Sequence, residues 1–244
     1  MIIDAKNKTQ REINELLKKY LSSNARQVTI KNVNGERYLG AGLRGNIKIK
    51  IKGVAGNDLG SFMDGPEIDV KGNGQDCLGN TVNEGKIVVR GSCGDVLGYG
   101  MRGGRIYIQS DVGYRAGIHM KAYKDLLPVL IVGGTAQDYC GEYLAGGVII
   151  VLGLNSKDKN APVGRFVGTG MHGGTIYIKG NVEDWKLGKE VGRKEWNDND
   201  DKIFQIYLKE YCKEFKIDYS KIKEQKFTKL AALSHRPYGK LYAY

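Results

Sequence analysis

Four strand-like segments, Ile47–Gly53, Glu67–Gly72, Lys86–Gly91 and Arg105–Ser110, each close on a small residue, and the closing positions are 19 residues apart. A fixed period of this length marks stacked repeats. Each unit is one turn of a coil, has an apolar side it cannot bury alone, and is completed by its neighbours.

Counting from the closing residue sorts the side chains. Four places before it lie Ile49, Ile68, Ile87 and Ile106; two places before it lie Ile51, Val70, Val89 and Ile108. Two places after it stand Ala55, Gly74, Cys93 and Val112, and six places after it Leu59, Leu78, Leu97 and Ala116. A glycine follows at once in every unit, and Met63, Val82, Met101 and Met120 occupy the tenth place. The positions between are mostly polar or glycine. Side chains that alternate along a strand point to opposite faces, so these ladders share one interior. Like residues would then stack about 4.8 Å apart, the spacing of hydrogen-bonded strands. The period continues less regularly through Gly133, Gly153 and Gly180, with the extra residues near Lys121–Leu127 and Leu154–Val163. Added length belongs in loops, where it costs little. The expectation is an all-β core, a single-stranded parallel β-helix of about seven coils. It is right-handed by the bias of parallel crossovers.

The ends read differently. Thr9-Gln-Arg-Glu12 is a capping box, and Ile13, Leu16, Leu17, Tyr20 and Leu21 follow at helical spacing. Past Gly180, Asp198–Asp201 offers N-caps to an apolar stripe of Ile203, Ile206, Tyr207, Tyr211 and Phe215, and a basic tail follows. A coil with open ends exposes core and unpaired backbone. Residues 1–39, with a short strand at Val28–Ile30, are therefore read as an N-terminal helix and cap, 40–182 as the β-helix and 183–244 as a helical extension with a tail, its helix packed on the coil's side or open end or docked on a partner subunit, giving capping α-helices at both termini.

Composition narrows the function. Glycine is abundant (35 residues) and proline scarce (4), without the triplet or low-complexity pattern of collagen or disordered chains; glycines at corners with positive φ fit better. The net charge of +11 is spread over all three parts of the chain rather than gathered with aromatics, which argues against a nucleic-acid binder. The one concentrated stripe, Lys48, Lys50 and Lys52, reads first as protection of an exposed sheet edge. No apolar run is long enough to span a membrane and the N-terminus has no signal-peptide layout, so a cytoplasmic protein is expected.

No catalytic constellation emerges. Gly98–Gly104 and Gly168–Gly174 resemble phosphate-cradling loops, but they lead into strands, whereas a dinucleotide site opens a helix. His119, His172 and His235 fall on unrelated positions. Asp138 and Glu142 flank Gly141 as a weak, solvated carboxylate pair. Cys93 and Cys140 replace small apolar residues on inward positions, Cys212 lies beside the helical stripe, and Cys77 belongs to no paired motif. No catalytic, cofactor-binding or metal-binding residue is assigned.

The opening Asn32-Val-Asn-Gly35 with Gly40-Ala-Gly42, the corners Gly53-Val-Ala-Gly56-Asn-Asp-Leu-Gly60 and Gly91-Ser-Cys-Gly94-Asp-Val-Leu-Gly98, and the Met-x-Gly-Gly before strands carry a resemblance. Over residues 28–182 the chain resembles the C-terminal β-helix domain of the glutamate synthase large subunit, the GXGXG domain, in its freestanding form. The resemblance implies a right-handed β-helix that is a structural, non-catalytic subunit. It would bridge a glutamine amidotransferase to an FMN and iron–sulfur subunit in glutamate formation from glutamine and 2-oxoglutarate. The FMN and iron–sulfur clusters would sit on those partners and none on this chain; a homo-oligomer is compatible, and neither nucleic acid nor membrane is called for. The alternatives are a β-helix subunit of a formylmethanofuran dehydrogenase-like complex and a hexapeptide-type acyltransferase, whose coils step by about 18 residues. Contact candidates are the Lys48/Lys50/Lys52 stripe and the loop 154–163.

Overall fold

The computed structural model describes residues 1–156 and 161–235. Strands β1 (Ile2–Asp4), β2 (Gln27–Asn34), β3 (Lys48–Val54), β4 (Asp64–Lys71) and β5 (Glu84–Val89) are followed by β6 (Arg105–Ile108), β7 (Val129–Val132), β8 (Ala145–Val151) and β9 (Gly173–Lys179). Each pairs in parallel with the next. The register is the one the period demands. Ile49, Ile68, Ile87 and Ile106 are successive partners, and the line continues through Leu130, Ile149 and Ile176. A second line of bridges joins the corners, Ala55 to Gly74 and Cys93 through Val112 and Ala136 to Val163.

Both lines, with Leu59, Leu78, Leu97 and the Met63–Val82–Met101–Met120 ladder, bury into one continuous interior. Gly79 shows how tightly the corner closes. Its φ is +68°, and an added Cβ would meet Ile106 Cδ1 at 2.2 Å. Only glycine fits both demands.

Three expectations change. The solenoid has about six turns, not seven; the seven strands β3–β9 are joined by six connections. At the N-terminus the helical cap is α1 (Gln10–Ser22) alone. Its capping box forms as the sequence indicates, Glu12 N–H donating to Thr9 Oγ1 and Thr9 N–H to a Glu12 carboxylate oxygen. The short strand expected at Val28–Ile30 forms within β2, which pairs with β3, with Val28 opposite Ile49 and Ile30 opposite Ile51.

At the C-terminus the helix does not cap the open end. It comprises α2 (Asp198–Ile203), a π-helical turn (Phe204–Leu208) and α3 (Lys209–Phe215), followed by the short α4 (Tyr219–Lys223). Phe204, Leu208, Tyr211 and Cys212 form a second core with Tyr107, Val129, Ile131, Val148, Ile150 and Tyr177, all from the outward side of β6–β9. The physical reason is that a parallel sheet with apolar residues on both faces must be covered on both. The open end is closed instead by β11 (Phe227–Ala232), which runs antiparallel against β9 and carries β10 (Val191–Arg193) on its other side. Leu230 of β11 enters the main core.

A buried polar knot pins α2. Asp200 accepts hydrogen bonds from Tyr177 Oη (2.5 Å), Lys229 Nζ (2.6 Å) and the Asn197 N–H (2.6 Å). Burial pushes the Asp200 carboxyl up, but the hydrogen bonds from Lys229, Tyr177 and Asn197 outweigh it, leaving it below its ordinary 3.8. A carboxyl with a lowered folded-state pKa adds stability that is complete above the unfolded value and lost as the pH falls through the folded one. Helix docking, read by the fluorescence of Trp196 beside Phe204 and Tyr177, should therefore weaken below pH about 4. Asp200→Asn should remove much of that acid dependence, and an unchanged acid transition would contradict this assignment. For the main coil, Leu78→Ala should cost about 2–5 kcal/mol by chemical denaturation. Lys71→Ala, on the exposed face, should stay within about 0.5 kcal/mol.

Candidate interaction surface

The fifth place after each strand closure holds Asp58, Cys77, Val96 and Arg115, and the same corner carries Tyr139 and Phe166 in the later turns. All six are left-handed, with φ between 58° and 63°. Left-handed backbone is strained for residues with a Cβ, and a β-branched residue such as Val96 is an outlier there. The ladder holds them in place: Val96 N–H donates to Tyr114 O (2.8 Å), Arg115 N–H to Asp138 O (3.0 Å) and Tyr139 N–H to Arg165 O (2.8 Å). Glycine would fit this corner without strain, yet side chains are kept and aimed outward.

In the C-terminal half those side chains form an aromatic and cationic column. The Arg115 guanidinium lies 4.9 Å from the Tyr139 ring centroid. Tyr139 stacks on Phe166 at 4.9 Å with an interplanar angle of 18°. Arg165 and Lys186 flank the Trp185 ring at 5.8 and 5.4 Å. A parallel column on the same corner stacks His119 on Tyr143 (5.0 Å, 11°) with Tyr99 edge-on at 5.7 Å. The Arg115–Tyr139, Tyr139–Phe166 and His119–Tyr143 separations, 4.9, 4.9 and 5.0 Å, match the rung spacing of about 4.8 Å, so the coil itself sets these distances. Tyr99, Tyr114, Phe166 and Trp185 are all exposed large hydrophobics. Aromatic residues interleaved with arginine are the composition of protein-binding hot spots.

In the N-terminal half the corner is acidic. Asp76 and Asp95 each accept the backbone N–H one rung on, from Asp95 and Tyr114, both at 2.8 Å. Burial, then the carboxylates of Asp58, Asp76 and Asp95, raise the Cys77 thiol, which keeps it protonated and a poor nucleophile. Cys93 and Cys140 are buried, the latter pushed by burial to about 12.

The residues singled out from sequence fall as follows. The three histidines do not converge: His119 is in the aromatic column, His172 Nδ1 lies 3.3 Å from Gly170 O, and His235 Nδ1 lies 3.1 Å from His172 O. Among the described residues no group of three or more His, Cys, Asp or Glu could hold a metal ion, and the scattered buried thiols do not fit a cluster. Asp138 and Glu142 are not a solvated pair. Asp138 accepts the Arg165 N–H at 2.8 Å, whereas Glu142 is buried and ion-paired with Arg115. The glycine loops 98–104 and 168–174 are corners feeding β6 and β9. Lys48, Lys50 and Lys52 do not guard an edge, because β3 is paired on both sides. Of the loop 154–163, residues 157–160 lie outside the described residues, and Ala161, Pro162 and Val163 are buried rather than offered as contacts. The stacked aromatics escaped sequence reading because insertions shift Tyr139, Phe166 and Trp185 off the 19-residue count. Aligning the later turns by their Leu/Cys/Val-Gly corners would have put Tyr139 and Phe166 in the column of Arg115.

The GXGXG motif family matches residues 2–232. The chain belongs to that family. It is related to the C-terminal domain of glutamate synthase. It is 48% identical over 250 residues to an uncharacterized protein of Methanocaldococcus jannaschii, covering 99% of this chain and 96% of that one. A 70-residue stretch is 43% identical to ferredoxin-dependent glutamate synthase 2 of Synechocystis, which is 29% of this chain and only 4% of that enzyme. Among the described residues no helix of this GXGXG protein is long and apolar enough to cross a membrane.

The Arg115–Glu142 pair gives a measurable signature of how the corner is held. Arg115→Ala leaves a buried carboxylate without its cation and should destabilise by about 1–3 kcal/mol, less than a fully buried pair because the arginine is partly exposed. Adding Glu142→Gln should recover part of that loss. Additive losses in a double-mutant cycle would show the two residues act independently.

Proposed function

We propose that this GXGXG protein is a non-catalytic scaffold in a glutamate synthase-like assembly, holding an amidotransferase chain and an FMN and iron–sulfur chain in fixed relation. The observation that carries the reading is the column Arg115–Tyr139–Phe166, kept on left-handed backbone where glycine would be easier, with Phe166 and the nearby Trp185 exposed. Strained backbone that presents side chains to solvent points to use of those side chains. The relationship to the glutamate synthase C-terminal domain supports the choice of assembly. Within it the chemistry belongs to the partners: glutamine hydrolysis to the amidotransferase, and imine reduction to the flavin and iron–sulfur chain. A rod with a packed apolar core suits a brace, since its interior resists compression and transmits orientation.

Affinity purification of the tagged native protein should bring down both partner chains in fixed stoichiometry, with glutamate formation from glutamine and 2-oxoglutarate. Phe166→Asp with Trp185→Asp should release at least one partner while the isolated chain keeps its melting temperature. Recovery of the protein alone, without either chain or activity, would refute the proposal.

A further inference from the structure

Among the described residues the outward face of the sheet is covered along only part of its length. Over β5–β9 lies the C-terminal helix, and where its last turns meet charged strands the contacts are ionic. Lys86 Nζ donates to Glu210 (3.1 Å) and Glu214 (2.6 Å), and Arg105 Nη1 donates to Glu210 (3.0 Å). Arg90 Nη1 donates to the Glu214 carbonyl at 2.9 Å. Glu210 and Glu214 are four residues apart on one side of α3, so this face holds a helix through carboxylates at i and i+4. The helix then stops: Lys216 is left-handed, with φ 57°, and turns the chain away.

The same face runs on across β2–β4, and among the described residues none of its side chains joins the core under the helix. Lys50, Lys52 and Lys71 make no ion pair among the described residues. The carboxylates beside them are taken, Glu67 by Lys48 at 3.3 Å and Asp69 by Arg90 at 2.8 Å. Lys52 and Lys71 are direct register partners, and like charges placed opposite each other in a sheet destabilise it. Edge protection does not account for them, since β3 and β4 are each paired on both sides. A groove of about 260 Å³ leads from Glu214 and Lys86 to Lys48 and Lys50. It joins the covered rungs to the open ones.

We infer that this open face docks an acidic helix of a partner chain, with carboxylates at i and i+4 meeting Lys50, Lys52 and Lys71 as Glu210 and Glu214 meet Lys86 and Arg105. The inference deepens the scaffold reading and rests on it for the existence of a protein partner. The molecule supplies the precedent itself: on the adjoining rungs the same kind of cation is met by the same kind of helix. Contacts of this sort are screened by salt and set association rate and register more than deep affinity.

The test uses the full chain and a fluorescein-labelled helical peptide bearing glutamates at i and i+4. Its comparators are a proline-interrupted isomer of equal charge and a single-stranded DNA oligonucleotide, with binding followed by anisotropy at low and moderate salt. The helical peptide should bind more tightly than its isomer. Lys50→Glu/Lys52→Glu/Lys71→Glu should weaken it about tenfold or more. The same charge change at Lys8, Lys124 and Lys189 should do much less. Should the reversed triple fail to keep the wild-type circular dichroism, the glutamine triple at the same positions replaces it. Equal loss from both triples, no preference for the helical peptide, or tighter binding of DNA through these lysines would each overturn the inference. Partner recovery in the purification experiment is a separate readout. Complexes that survive the lysine triple sink the docking site and leave the scaffold, whereas a chain without partners sinks the scaffold whatever the peptide does.

Discussion

Every feature of this molecule depends on the parallel ladder of backbone hydrogen bonds between successive turns. That ladder fixes the rung spacing and obliges each turn to present the same side chains to the same neighbours. Ile49, Ile68, Ile87 and Ile106 are in contact because their strands are hydrogen-bonded in register, and Leu78 is buried because the corner closes at Gly79. Aromatic stacking on the corner follows the same spacing: rings attached to consecutive rungs meet at about the rung distance. One constraint thus builds the core and decorates the surface.

A ladder of this kind has three weaknesses, its two ends and any apolar outer face, and the chain treats each differently. At the N-terminal end β1, β2 and α1 extend and cover the first turns, with Ile13 and Leu17 of α1 buried in the main core. At the far end an antiparallel strand replaces the next parallel turn, satisfying β9 without prolonging the coil. On the flank a helix seals the apolar rungs, held by the second core and by the ion pairs of Lys86, Arg90 and Arg105. Among the described residues the lysine-rich rungs beyond it take no part in that second core. This division separates the part of the outer face that serves stability from the part available for contact.

The buried thiols and phenols are held in their neutral forms. Burial raises the thiols of Cys93 and Cys140 and the phenols of Tyr107 and Tyr177, so these groups stay protonated. The carboxylates at the corners accept backbone N–H groups of the next rung, and Glu142 is committed to Arg115. Such groups are placed for holding turns together. The residues left over, the aromatic–arginine column and the open lysine face, have the character of binding surface.

The sequence by itself determined what is local or periodic: the 19-residue turn, the inward Ile/Val/Leu/Met ladders, the glycine corners and the Thr9–Glu12 cap. Each depends only on residues a fixed step apart, so a linear reading recovers it. The tertiary structure decided what depends on distant partners. Nothing near Tyr211 in sequence says that its hydroxyl will donate to Ile108 O at 3.2 Å, or that the helix carrying it will lie on the flank instead of the end. The uninterrupted apolar runs at 129–132 and 148–152 did hold the signal, since strands buried on both faces lose alternation, but only the fold shows what covers them. Glu142 looks solvated in the sequence because its cation lies 27 residues away, on the neighbouring turn. Lys52 and Lys71 were placed in one column by the period; that no edge lies beneath them was settled by strands pairing on either side.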